Sequence, residues 1–175
     1  EWMQKPIPES AEIIFIHTGI PDFRTYEADC YFHLAYRENE TISAPAGKLV
    51  FVNAVAETLQ DLPAFCVRIN AWNGFLKRAA LELAASEANK AAAAAIMDSL
   101  QWKYFFVPDI AGMIAARTVC MIINEAYYAL GENVSTKNDI DIAMKLGTNY
   151  PYGPFEWAAL AGLTNVYHLL QKMGE

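Results

Sequence analysis

Few side chains in this sequence are of the kinds that move protons, bind metals or attack carbonyls, and their spacing decides what they can do. The three histidines, His17, His33 and His168, are scattered. His33 and His168 sit in apolar patterns, which favours packing or surface roles over general-base work. Cys30, Cys66 and Cys120 each lie inside an apolar run, and none stands within metal-ligand spacing of another. They read as buried free thiols in a reducing compartment, with no metal. Glu82 is a lone carboxylate, and its ordinary reading is an acidic side chain at an element edge, solvated or paired with Arg78. Trp72 and Asn73, next to Asn70, could line a pocket, although an aromatic at a strand end is more often core. Dinucleotide binding at a strand-to-helix turn uses Gly-x-Gly-x-x-Gly, where the backbone must approach a pyrophosphate closely. No such run occurs, and Gly19 and Gly47 stand alone.

The elements that would position these groups fall into two classes. Short apolar runs at Glu12–Ile16, Cys30–Tyr36, Lys48–Ala54, Phe65–Asn70 and Lys103–Val107, separated by turn residues, read as buried strands. They predict an α/β layer with a mainly parallel, reduced Rossmann-like sheet. Residues 37–47 contain Pro45 and Gly47, so a full crossover helix hardly fits there. Ser86 is a good N-cap for a helix reaching Gln101, and propensity also makes Arg78–Ala85 helical.

After Pro108 the pattern turns to helix formers. Asp109 is placed to cap a long helix from about Ile110 to Leu130 that Gly131 can close, and its nearly continuous apolar surface predicts burial all round, with Arg117 and Asn124 as a polar stripe. Thr136 and Asp139 fit a capping box for Lys137–Leu146, with Gly147 as the stop. Pro154 suits the first turn of Phe155–Ala161, and Asn165–Met173 makes a last amphipathic helix. Tyr150 and Tyr152 flank the proline turn and are expected to pack between the helices and the first half. The division expected is 1–108, a truncated Rossmann-like domain, and 109–175, a helical domain.

Composition narrows the partners. At 175 residues a sizeable core is available. An apolar content of 54% against 19% charged residues predicts that burial continues across an interface, hence an oligomer. A net charge of −7 disfavours nucleic acid and anionic lipid. No apolar run approaches the roughly 18 residues of a membrane span, so a cytoplasmic protein is expected. The opening at Glu1 is expected of a processed or trimmed chain.

Four blocks in order carry a family resemblance. They are Asp109, Gly112, Met113 and Ile114; Asn124-Glu125-Ala126; Ile140-Asp141-Ile142-Ala143-Met144-Lys145-Leu146-Gly147; and Gly153-Pro154-Phe155. Together they resemble the C-terminal helical domain of the 3-hydroxyacyl-CoA dehydrogenases, a domain of the type shared with 6-phosphogluconate dehydrogenase. The resemblance implies an NAD-dependent oxidoreductase of fatty-acid metabolism, a homodimer formed through 109–175, and an acyl-CoA ligand. It also makes the first half the later part of a Rossmann domain. Residues Arg68–Gly74 then fall on the family's Gly-x-His-Phe-Phe-Asn-Pro segment, placing Asn70 at the catalytic histidine and Glu82 at its partner glutamate. By the same alignment Arg78–Ala84 is extended rather than helical.

Asn53 and Val55 fall in the family's Asn-Thr-Ser-Ser segment, with Val55 at the serine that touches the reacting oxygen. Ala116 falls at an asparagine of the following helix. The substrate-side positions by this alignment are Asn53, Val55, Trp72, Asn73 and Ala116, and of four polar groups only Glu82 is retained. Taking the hydroxyl proton of a secondary alcohol near pH 7 suits a histidine oriented by a carboxylate. An asparagine amide cannot accept that proton. The expectation is therefore a family member with lost or impaired activity. An active dehydrogenase and a pure dimeric interaction module are the alternatives.

Overall fold

The computed structural model describes residues 5–12, 14–15 and 21–174. The chain divides into two compact units, Glu1–Met113 and Ile114–Glu175. His17 and Gly19 lie outside the described residues, as do Ile13 and Ile16 of the first expected strand.

In the first unit a five-stranded sheet runs in chain order: β1 (Cys30–His33), β2 (Leu49–Val52), β3 (Cys66–Ile69), β4 (Leu81–Ala84) and β5 (Tyr104–Phe106). β1, β2 and β3 are mutually parallel, β3 and β4 antiparallel, and β4 and β5 parallel. One helix, α1 (Glu87–Ser99), lies between β4 and β5. No helix separates β1 from β2, as the Pro45 and Gly47 segment led us to expect, and only a single 3-10 turn at Leu59–Asp61 precedes β3.

The two-residue period of the strands sorts their side chains onto opposite faces. Leu49, Phe51, Val67, Ile69, Leu81 and Leu83 join Ala93 and Met97 of α1 and Trp102 in one core. Val50, Val52 and Cys66 face the other way, onto Phe23, Tyr31, Ile42 and Leu62. Both faces of the central strands are covered, which is why these runs are continuously apolar.

Two expectations for this unit are corrected. Ile14 and Phe15 are half exposed and in no strand, so the described residues of the Glu12–Ile16 run do not form the expected strand, and a fifth strand comes from elsewhere. Leu81–Ala84 supplies it instead, extended as the family alignment implied and against its helical propensity. A place between β3 and β5, with Leu81 and Leu83 buried, outweighs the few tenths of a kcal/mol per residue that propensity offers.

The second unit contains α2 (Ala115–Gly131), α3 (Lys137–Thr148), α4 (Pro154–Ala161) and α5 (Leu163–Gly174), with α2 packed on α4 and α5. Thr136 accepts the Asp139 N–H as anticipated, but the helix continues through Gly147 and ends at Asn149 in the left-handed region. Likewise Gly131 is helical, and Asn133 takes the positive φ. Asp109 does not cap α2, which starts six residues later behind Ile114, because the Asp109 carboxylate is engaged elsewhere. Nor is α2 buried all round. Ala116, Cys120, Ile123 and Ala126 form its buried stripe, while Met121 and Tyr128 are exposed. Tyr150 and Tyr152 pack against Trp157 within this unit.

Gly153 approaches α3 very closely. A Cβ built on it would lie 2.2 Å from Asp141 Oδ1, and that same oxygen accepts the Phe155 N–H at 2.8 Å.

Candidate functional site

The antiparallel β3–β4 ladder brings together the two side chains that the family alignment set at the catalytic pair. Ile69 pairs with Leu83, so Asn70 stands across from Glu82, and its N–H donates to the Glu82 carbonyl at 3.3 Å. By the strand period both side chains emerge on the face opposite the leucines. There the Asn70 Nδ2 donates to Glu82 Oε2 at 2.9 Å, with both residues 2% exposed. Arg78 approaches the other carboxylate oxygen, Nη1 to Oε1, at 3.7 Å. The anticipated Arg78 pairing is thus present, but Glu82 is a buried strand residue rather than a solvated edge.

An ionised carboxylate only accepts hydrogen bonds, so the nitrogen of the Asn70 amide is the atom that must face it. The amide oxygen is thereby directed away from Glu82. It is buried and meets no hydrogen-bond donor among the described residues.

Asn53 works differently. Its Nδ2 donates to the Leu34 carbonyl at 3.0 Å, its Oδ1 accepts the Ala71 N–H at 3.0 Å, and its backbone N–H reaches the His33 carbonyl. Both ends of the amide are thus occupied in tying together the carboxyl ends of β1, β2 and β3. Val55 is 1% exposed and presents only methyl groups. Trp72 is buried with its ring edge-on to Phe75, whereas Asn73 is exposed. Ala116 is fully buried on α2 of the second unit.

Sequence reasoning missed Arg68. Its guanidinium is completely buried and donates to Ala54 O (2.8 Å), Val55 O (2.9 Å), Ile110 O (3.2 and 3.3 Å) and Asp109 Oδ1 (2.5 Å). Asp109 Oδ2 in turn accepts the Leu59 N–H, and Gly112 N–H bonds the Val55 carbonyl. This knot holds the loop carrying Val55 against the chain after β5. Burial pulls the Arg68 pKa below its usual range, and the Asp109 carboxylate counters that pull. The available signal was a single charge within the apolar run Cys66-Val67-Arg68-Ile69, since a charged residue inside a buried strand calls for a partner.

Cys66 and Cys120 are buried free thiols as their apolar settings predicted, whereas Cys30 is a free thiol only partly buried. Burial pushes the thiols of Cys66 and Cys120 up to about 12 and that of Cys30 to about 11. Between the ordinary thiol pKa of about 8.5 and these values, the unfolded chain has lost protons that the folded chain retains, so stability must fall as pH rises through that window. Denaturation midpoints should be insensitive to the thiols at pH 7 and decline above about pH 9. A triple Cys→Ala variant should show a shallower alkaline decline. An unchanged slope would contradict this.

Comparison with known proteins now bears on the geometry. The family described as 3-hydroxyacyl-CoA dehydrogenase, C-terminal domain, matches residues 112–175. Over 67 residues the chain is 49% identical to the 3-hydroxyadipyl-CoA dehydrogenase of Escherichia coli, a match covering 38% of this chain and 14% of that protein. Identity to the 3-hydroxybutyryl-CoA dehydrogenase of Bradyrhizobium diazoefficiens is 40% over the same length, 23% of that protein.

Residues 112–175 belong to the C-terminal domain family of the 3-hydroxyacyl-CoA dehydrogenases. Solved structures extend the likeness beyond the helices. The crystal structure of (S)-3-hydroxybutyryl-CoA dehydrogenase from Ralstonia eutropha superposes with a TM-score of 0.63 at 24% identity, covering 74% of this chain and 50% of that one. The 3-hydroxybutyryl-CoA dehydrogenase of Escherichia coli does so at 0.58 and 36% identity, covering 71% of this chain and 27% of that one. The chain therefore spans half or less of each of these family members.

Proposed function

We propose that this chain is a family member whose dehydrogenase step is lost or strongly impaired, because hydrogen bonding has replaced proton transfer at the pair formed by Asn70 and Glu82. One observation carries the reading: the Asn70 amide donates to Glu82 at 2.9 Å in a buried site, occupying the pair with a group that cannot take up a proton. The alternative of an active NAD-dependent enzyme needs a proton acceptor, and Val55 beside the Arg68 knot supplies none.

The residues for NAD fit poorly as well. When bound, the nicotinamide would supply the hydride-accepting ring, with its pyrophosphate on a glycine-rich helix N-terminus. In the described part of the first unit the direct strand-to-helix turn is Ala85-Ser86, from β4 into α1. It has no glycine, and its first helical residue is Glu87, a carboxylate bonded to Lys90. That charge opposes a pyrophosphate. An acyl-CoA remains the ligand we infer for the pair.

Calorimetric titration of the chain with NAD and NADH, coupled to an assay with 3-hydroxybutyryl-CoA, tests the reading. We expect no micromolar cofactor binding and no turnover, and turnover would restore the dehydrogenase. Losing the base alone costs on the order of a hundredfold or more in rate.

We further infer a homodimer through the second unit. Ile114, Met121 and Tyr128, seven residues apart, are 49%, 51% and 64% exposed and run along one side of α2. An apolar stripe of this kind invites a partner face. Light scattering is expected to give twice the chain mass, and Met121→Glu to shift it to monomer. A monomeric parent would favour neither this dimer nor a purely interacting module.

A further inference from the structure

We propose that Asn70 makes the site selective for a ligand bearing a hydroxyl over the same ligand bearing a carbonyl. The inference rests on the reading above that no proton is transferred at this pair. It begins with the orientation of one amide. Glu82 is buried, and it lies near Arg78 on its other oxygen, so it is held as an acceptor and fixes the Asn70 nitrogen toward itself. What remains of Asn70 is a carbonyl oxygen, buried and unpartnered, at the carboxyl end of β3 beside the carboxyl end of β2. In open α/β sheets this end of the strands is where ligands bind.

A buried acceptor with no donor is unfavourable, and the group that relieves it must bring an O–H or N–H. A hydroxyl does so. A keto oxygen placed at the same spot would set two lone-pair-bearing atoms against each other and leave both unsatisfied. A titrating base lacks such a fixed preference, because an imidazole accepts when neutral and donates when protonated. The amide oxygen only accepts and gains no proton over the physiological range, so the discrimination should be independent of pH. Asn70 is thus a specificity-determining residue for a ligand of the 3-hydroxyacyl thioester class, and it distinguishes that ligand from the 3-ketoacyl thioester of the same chain length.

The experiment compares a matched pair of probes, 3-hydroxybutyryl-CoA and acetoacetyl-CoA, titrated calorimetrically into the full chain without NAD at pH 6 and pH 8. We expect the hydroxy compound to bind tighter by on the order of ten- to a hundredfold at both pH values. In Asn70→Leu the ratio should fall to near one; because the variant takes the Asn70 donor from Glu82 Oε2, a lower melting temperature is expected, with the circular dichroism spectrum unchanged. Asn70→Asp serves as a second variant. Two carboxylates side by side share a proton, so its preference should become pH-dependent. Equal binding of the two probes, tighter binding of the keto compound, or binding of neither would overturn the proposal. A separate arm with NAD present reads turnover. Oxidation of the hydroxy compound there would overturn the non-catalytic reading even with selectivity intact, so the two failures are distinguishable.

Discussion

Replacing Arg68 by methionine should destabilise the first unit by about 3–5 kcal/mol, the range for breaking a buried ion pair by removing one partner. For a chain of this size that corresponds to a fall of about 6–20 °C in melting temperature. The guanidinium meets three backbone carbonyls and one carboxylate, and methionine, although close in length, satisfies none of them. The loss has two parts. The Ala54 carbonyl loses its Arg68 donor, those of Val55 and Ile110 keep only the N–H groups of Gly112 and Met113, and the Asp109 carboxylate, 29% exposed, recovers only part of its hydration. Arg68→Lys keeps the charge but concentrates it on one nitrogen that cannot span the same acceptors, so an intermediate loss is expected. Urea denaturation at pH 7 measures both. A change of under about 1 kcal/mol for Arg68→Met, the size of an ordinary surface substitution, would show that the knot contributes little.

Gly153→Ala should cost about 2–4 kcal/mol in the second unit, a large effect for one methyl group. The new Cβ would lie 2.2 Å from Asp141 Oδ1 and 2.4 Å from Asp141 Cβ, so rotating the carboxylate aside does not resolve the clash. Moving the whole Asp141 side chain breaks its hydrogen bond to the Phe155 N–H, which opens α4. Part of the α4 terminus survives, because the Glu156 carboxylate still accepts the Gly153 N–H and pairs with Lys145. The prediction is checked by a double-mutant cycle. Asp141→Gly removes both the hydrogen bond and the Asp141 Cβ, so in the double variant the clash disappears and the two effects should fall well short of additive. Strict additivity would mean that the close approach does not limit packing here.

The sheet and the later helices were legible because their signals are local. Continuous apolar runs gave β1, β2, β3 and β5, and Thr136 and Pro154 gave the starts of α3 and α4. What was illegible depended on partners distant in sequence. Asp109 looks like a helix cap beside a helical pattern, yet Arg68, 41 residues earlier, claims its carboxylate. Leu81–Ala84 looks helical in isolation and becomes a strand because β3 and β5 lie on either side. Gly131 and Gly147 were plausible stops, but asparagines two residues further on take the left-handed conformation. For the site, sequence named Asn70 and Glu82 only through resemblance. No spacing rule places an asparagine opposite a glutamate 12 positions away; an antiparallel turn of unmarked length does so.

That antiparallel pairing also acts on how the chain chooses its fold. Strands with apolar residues on both faces can slide by one position with little loss of burial, and β3 and β4 are of that kind apart from Arg68, Asn70 and Glu82. Sliding β4 by one residue would turn the Glu82 carboxylate into the cluster of Phe51, Ile69 and Met97, where nothing could solvate it. The same slip would strip the Asn70 amide of its acceptor. The buried glutamate therefore marks the correct alignment by making every neighbouring alignment costly, a role it would retain in a protein that never moves a proton.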